Sequence, residues 1–576
     1  MRTLAIALLA LAAFVPATAA RAEKVVHEQA RLSVLSAKDR ETYREILDLQ
    51  EDGRWSDADA RAASLSDDLL MGHVLLQRYM SPGYRATYDE LKRWMAYYAD
   101  LPGAEKIYSL ANRKRPKGAS ATVRPAGRKW RAADRTFEFH PALAADYERT
   151  SAPLLRQIEG RIRTLCKKEM AGEALKELER RLSRREITQR QFDRMRSWVA
   201  ASYYFQGYTD TAGDLAREVA ARNGDVAVLA YWIAGLVSFR DGDPAAALDQ
   251  FERQAKVAFQ EDALRSAAGF WAARAALAAG QTDRVTPNLE IAAGFPFTFY
   301  GQLALSQLGR DYPYNWSAPP VTPSAFAALA AKAPGVKRAV ALTEVGEDLE
   351  ADLELRWAHG LIDDQQAADL LGVAVALELP AAQLDIALAN EGPAFEPGLF
   401  PIPAYEPAGG FKADRAVLYA LMRQESKFKV EATSRVGARG LMQLMPRTAS
   451  FMAKDKSLIR GKGRNRLYDP AYNLELGQTY VNHLISTTSG GDLFDTALAY
   501  NGGPGNLSRW KRELDIDDPL LFIESIPNPE SRDFVEKVLT NVWVYRARLG
   551  QPARERDLVA AGKLPLYEAL DSLAGE

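Results

Sequence analysis

From about Arg31 to Leu308, apolar residues recur at helical spacing in successive amphipathic stretches, broken by short Gly or Asp turns and few β-branched runs. The pattern predicts helix after helix and scarcely a strand. Tyr204-Phe205-Gln206-Gly207, Ser238-Phe239-Arg240-Asp241-Gly242 and Leu277-Ala278-Ala279-Gly280 each end a helix in a turn, and a second helix such as Pro244 to Ala255 follows. Gly207, Gly242 and Gly280 recur at intervals of roughly 35 residues, the length of a two-helix solenoid unit. Stacked helical hairpins are therefore expected. Tyr203, Trp232, Phe270 and Trp271 fall among Ala-rich faces and read as wedges between them. A curved array of this kind presents an extended concave surface to a polymer or protein partner.

The stretch DYPYNWSAPPVTP, from Asp311 to Pro323, ends the array, because proline cannot continue a helix interior. A smaller helical segment follows over Ser324 to Ala389, with Leu353, Leu355, Trp357, Ala358 and Leu361 ahead of a turn at Asp363. Glu391 to Gly410 is rich in Pro and Gly and reads as an extended linker. At 576 residues the chain is too long for one core. The expected order is a signal peptide over 1–22, an α-superhelical solenoid over 23–323, a helical linker domain over 324–395, a last helical domain over 396–560 and a tail over 561–576. The fold class is all-α.

Composition narrows the function. With 47% hydrophobic and 26% charged residues and a net charge of -1, the chain is a soluble globular protein with no bias toward nucleic acid. One basic segment, Lys106 to Arg135, reads as a solvated loop ahead of a patch for an anionic partner. At the start, Arg2 precedes the apolar run Leu4 to Val15, and Ala17-Thr18-Ala19 or Ala20-Arg21-Ala22 offers a cleavage site. Export is predicted. No later segment approaches the roughly 20 apolar residues of a spanning helix. The one cysteine, Cys166, lies far from a lipoprotein cleavage point and has no disulfide partner, so an unanchored, soluble monomer held by packing is expected. His27, His73, His140, His359 and His483 form no ligand pair at helical spacing, and neither metal nor cofactor is expected.

Candidate chemistry gathers in the last domain. In the helix from Ala413, Val417, Leu421 and Phe428 share one face with Glu425, which sets a carboxylate on the face that packs inward. Burial raises a carboxyl pKa, and an acid still protonated near neutral pH can protonate a glycosidic oxygen. An isolated Glu at a helix end more often leans into water, so its neighbours decide. Ser434 to Pro446 (SRVGARGLMQLMP) places Gly437 and Gly440 three apart, which lets backbone approach a ligand before Pro446 starts a helix. Ala499 to Gly505 (AYNGGPG) sets Tyr500 and Asn501 before a glycine-rich turn and reads as a site loop. Pro527-Asn528-Pro529-Glu530 opens a helix striped with Phe534, Val538, Val542 and Tyr545, where Asn528 and Glu530 also suit capping and dipole roles.

Taken in order, Glu425-Ser426, Gly440-Leu441-Met442-Gln443, Ala499-Tyr500-Asn501 and Ile526-Pro527 resemble the catalytic domain of the soluble lytic transglycosylases over about Phe411 to Leu549. Leu75-Leu76-Gln77-Arg78-Tyr79 and Phe299-Tyr300-Gly301 look like that family's ring-shaped superhelical domain. The resemblance implies a lysozyme-like α domain in the periplasm. It implies cleavage of the bond between N-acetylmuramic acid and N-acetylglucosamine in peptidoglycan strands, with release of 1,6-anhydromuramoyl ends. By motif, Glu425 looks like the acid and base, Ser434 like the hydroxyl that orients the muramoyl group, and Tyr500 like the phenol beside the carboxylate. Gln443, Met445 and Asn501 look like groove residues, and Glu530 resembles a groove acid.

An ordinary glycosidase needs two carboxylates, roughly 5 Å or roughly 6.5 to 9.5 Å apart. No second acid adjoins the glutamate motif, and the sequence does not place Asp469, Glu475 or Asp495. A hydrolytic muramidase or chitinase of the same fold is the nearest alternative. A non-catalytic scaffold whose solenoid binds cell-wall synthesis proteins is the alternative from another class.

Overall fold

The computed structural model describes residues 32–126, 151–258 and 260–571. Among them helices dominate, and the β-structure is three isolated bridges. The segment 1–22, expected as a signal peptide, lies outside the described residues. No described helix is long and apolar enough to cross a membrane.

The solenoid follows from its turns and its aromatic wedges. Helices Gln189–Phe205, Thr209–Asn223, Val228–Arg240, Pro244–Ala255, Asp262–Ala278, Val285–Ala293 and Phe299–Gln307 pack in succession. Gly207, Gly242 and Gly280 take φ of 84°, 78° and 72° at the predicted turns, where a Cβ would be strained. Asp243 then caps the next helix by accepting from the Ala246 N–H at 3.0 Å. Val228–Arg240 is apolar nearly all round because its neighbours cover it. Gly235 makes room there, since a Cβ would stand 2.5 Å from the Phe251 ring. Trp271 meets Trp232 and Phe239 edge-on at 6.2 and 5.3 Å, so these rings do wedge adjacent helices. Lys106 to Lys114 departs from the expected loop: it belongs to the helix Ala104–Lys114, which buries Ile107 and Ala111.

The two ends of the array meet. Leu35, Tyr43, Ile46 and Val74 share one core with Leu329, Val336, Leu342, Leu355 and Leu370. The His73 Nε2 lies 2.8 Å from a Glu354 oxygen that also accepts from Arg338 Nε at 2.6 Å, and Arg338 reaches Asp100 at 3.0 Å. The segment expected as a helical linker domain shares its core with the first helices. Glu391 to Gly410 is only partly extended, with short turns over Pro393–Phe395 and Glu396–Leu399.

A second core runs from the solenoid into the last domain. Phe299 stacks on Trp543 at 5.1 Å, the Tyr204 hydroxyl lies 2.8 Å from Ser525 Oγ, and Tyr300 donates to Glu524. Within that domain the helix Arg415–Glu425, which begins two residues later than expected, packs along Pro529–Arg548. The fully buried Arg546 joins Asp414 at 2.6 Å and Glu555 at 2.7 Å, and Asp414 also accepts the Leu570 and Asp571 N–H groups. The tail is therefore fastened beneath the site helix as far as Asp571.

Candidate active site

Glu425 is the last residue of its helix, and the chain then turns sharply. Ser426 caps the end, and Lys427 and Phe428 both take left-handed φ, 51° and 61°. Phe428 is therefore not on the helix face with Val417 and Leu421, as periodicity suggested. It reaches the core by the turn and is buried, which holds two residues in a conformation costing roughly 1–3 kcal/mol each. Arg423 points away from Glu425, since residues two apart on a helix do not share a face. It donates to the Leu399 carbonyl at 2.7 Å and to Asn541 Oδ1 at 2.8 Å, pinning the helix from behind.

Burial, and then the charge of Glu530, push the Glu425 carboxyl up to about 8. Its place at the negative end of the helix dipole acts in the same direction. The carboxyl makes no hydrogen bond or ion pair with any described residue, so its proton is free for a ligand. Tyr500 adjoins it: burial first, and Glu425 second, hold the phenol well above its usual range. The phenol donates to the Met442 carbonyl at 2.7 Å, and its ring lies parallel to Phe534 at 6.3 Å and tilted against Tyr480 at 5.4 Å. Tyr500 and Asn501 are not on a loop, because the helix Leu493–Gly502 continues through them and breaks at Gly503 with φ 86°.

The Ser434–Met445 segment is a tight double turn. Thr433 bridges Arg439, and Arg439 bridges Leu444. Ser434 Oγ accepts from the Ala438 N–H at 3.0 Å, which leaves its own proton free to donate. Gly440 must be glycine: at φ 76° a Cβ would stand 2.1 Å from the Leu467 carbonyl oxygen. The Gln443 amide donates to the Ala432 and Gly440 carbonyls at 3.1 and 2.8 Å, while Met445 is 40% exposed. Asn501 Oδ1 accepts from Ser531 Oγ at 2.7 Å, tying the Tyr500 helix to the helix that begins with Asn528 as cap and presents Glu530 exposed.

Sequence reasoning passed over Asn473. Fully buried, it accepts from the Met442 N–H at 2.8 Å and donates to the Leu467 and Arg439 carbonyls at 2.8 and 3.1 Å, so one side chain holds the Gly440 loop from beneath. An amide inside the apolar helix pattern PAYNLELG was the available signal. The other acids lie apart: Asp469 caps Tyr472, Glu475 pairs with Lys412, and Asp495 pairs with Lys511. Among the described residues no group of three or more His, Cys, Asp or Glu converges as a metal site.

Residues 404–519 match the family model described as the Transglycosylase SLT domain. The soluble lytic murein transglycosylase of Salmonella typhimurium is 37% identical over 133 residues, 23% of this chain and 20% of that one. That of Escherichia coli K12 is 34% identical over 142 residues, 24% of this chain and 22% of that one. The matched segment is related to the soluble lytic transglycosylases. The sequence matches span about a fifth of those relatives' length. The fold extends further. The 70 kDa soluble lytic transglycosylase of Escherichia coli superposes with a TM-score of 0.55 at 19% identity, covering 90% of this chain and 97% of that one. Lytic transglycosylase Slt of Pseudomonas aeruginosa gives 0.53 at 20% identity over 89% and 86%. The all-α superhelical and lysozyme-like reading of the sequence is borne out at the level of fold.

Proposed function

We propose that the chain is a peptidoglycan lytic transglycosylase, exported through the segment 1–22 to act in the periplasm. The observation that carries the reading is the state of Glu425: half-buried, without a hydrogen bond or ion pair to any described residue, its carboxyl pushed up to about 8, beside Tyr500 and inside the matched SLT segment. Glu425 donates its proton to the glycosidic oxygen between N-acetylmuramic acid and N-acetylglucosamine. The leaving sugar departs with that proton as its hydroxyl. Now a carboxylate, Glu425 takes the proton from the muramoyl C6 hydroxyl as that oxygen bonds to the anomeric carbon. The 1,6-anhydro ring closes, Glu425 is reprotonated and no water is consumed. An intramolecular nucleophile gains effective molarity, so the protein has to orient the sugar rather than seat a water. The free Ser434 hydroxyl and the Tyr500 phenol serve as orienting groups, and Gln443, Met445, Asn501 and Glu530 line the groove.

One observation favours a hydrolytic reading: Glu530, an exposed carboxylate, is close enough to act on Glu425 electrostatically and supplies the second acid that hydrolysis uses. Digesting purified murein with the full chain and weighing the products separates the two, since anhydro ends are one water lighter than reducing ends. Anhydro ends support the proposal, and reducing ends alone overturn it.

A further inference from the structure

The lobe that follows the Gly440 loop is charged unlike the rest of the chain. Between 435 and 466 nine residues are Lys or Arg and only Asp455 is acidic, whereas the whole chain holds 74 basic and 75 acidic residues. Arg466 is occupied by Asp455 at 2.9 Å and the Arg439 guanidinium by the Tyr468 hydroxyl. The others, among them Arg447, Lys454, Arg460, Lys462 and Arg464, are exposed, and their side chains make no hydrogen bond or ion pair with any described residue. Many exposed cations elsewhere carry a helical partner, as Lys176 does Glu173, Arg253 does Asp249 and Lys537 does Asp533.

Large apolar side chains emerge among these free cations. Phe451 is 69% exposed, Val436 78% and Ile459 36%. They belong to one compact body. The helix Pro446–Ala453 packs on the turn Lys456–Ile459, and that turn packs on Gly461–Tyr468, with Leu458 and Leu467 buried on the inner side. Gly463 fits so closely that a Cβ would stand 2.4 Å from the Ser457 carbonyl oxygen. The Val436 turn is tied in through Thr433, whose hydroxyl lies 2.6 Å from that of Tyr468.

A single exposed apolar residue is ordinary, and a cluster of free cations alone suits any polyanion. Their combination on one rigid lobe matches a lipid interface, where cations meet anionic headgroups and aromatic or aliphatic side chains enter the headgroup boundary. We propose that this lobe docks the protein peripherally on an anionic phospholipid surface. The inference stands apart from the glycan chemistry, so it is read on the Glu425→Gln variant, for which turnover plays no part.

The test is flotation of the full chain with vesicles of phosphatidylcholine alone or mixed with phosphatidylglycerol. Binding to the mixed vesicles only is expected, falling roughly tenfold as salt is raised from about 0.1 M to about 0.5 M. Lys462→Glu with Arg464→Glu, and separately Phe451→Ser, should each weaken it several-fold at unchanged circular dichroism, while Lys176→Glu on the solenoid leaves it intact. No preference for the anionic vesicles, or an equal loss in Lys176→Glu, overturns the proposal. So does unaltered vesicle binding in the lobe variants accompanied by weaker co-sedimentation with purified murein, which would make the lobe a glycan surface.

Discussion

Glu530 acts on Glu425 across the site: its charge adds to burial in driving the Glu425 carboxyl up to about 8. Two helices arrange this, one ending at Glu425 and one beginning at Pro529. The two carboxyls differ in surroundings, one half-buried and one exposed. Burial therefore acts first, and the like charge second, in raising the Glu425 carboxyl.

The first consequence is a pH profile. Because the acid must be protonated to start the reaction, kcat should hold below about 8 and fall tenfold per unit above it. Glu530→Gln removes the like charge, so the fall should begin at lower pH, by up to roughly one unit. Rate measurements from neutral to alkaline pH check this, and an unmoved alkaline limb in the variant counts against the coupling.

The second concerns stability. The folded pKa of Glu425 lies above its ordinary value of 4.5, so between 4.5 and about 8 the folded chain keeps a proton that the unfolded chain has released. Stability is full below about 4.5 and declines as pH rises toward 8. Glu425→Gln escapes that decline. It should be more stable than the parent by about 2 kcal/mol near pH 8, allowing for the carboxyl's open side, and no more stable near pH 4. Urea unfolding of both proteins at the two pH values measures the difference; a gap that is equal at both would contradict it.

Asn473→Ala strips partners from the Met442 N–H and from two buried carbonyls at once. We expect a loss of about 3 kcal/mol, together with a fall in kcat/KM as the Gly440 loop loosens. Unfolding and steady-state rates test it jointly. Full activity in a destabilised variant would detach the loop from the chemistry.

These side chains also mark how far the sequence could be read. Gly207, Gly242 and Gly280 were legible because a left-handed turn between helices calls for glycine locally. Tyr500 and Asn501 were legible as residue types yet misplaced on a loop, since two successive glycines suggest a break one turn before the helix ends. Phe428 obeyed a helical period that the left-handed Lys427 had already ended. The meeting of His73 with Glu354, 281 residues apart, left no local pattern, and neither did the reach of Asn473 to backbone groups of another segment. Glu530 was visible as a cap-position acid, but its approach to Glu425 depends on the packing of Pro529–Arg548 against Arg415–Glu425.

Tyr500→Phe keeps the parallel contact with Phe534 and loses the hydrogen bond to the Met442 carbonyl. A stability loss of about 1 kcal/mol and a kcat lower by roughly tenfold are expected, with KM little changed, from the proposed role of the phenol in orienting the reacting group. A variant that lost KM alone would make Tyr500 a binding residue.

The central claim is that Glu425 works as both acid and base with no water consumed, and digestion in heavy-oxygen water tests it most directly. The account predicts muramoyl ends that carry no heavy oxygen, and no such ends at all from Glu425→Gln. One heavy oxygen at every new muramoyl end would contradict it.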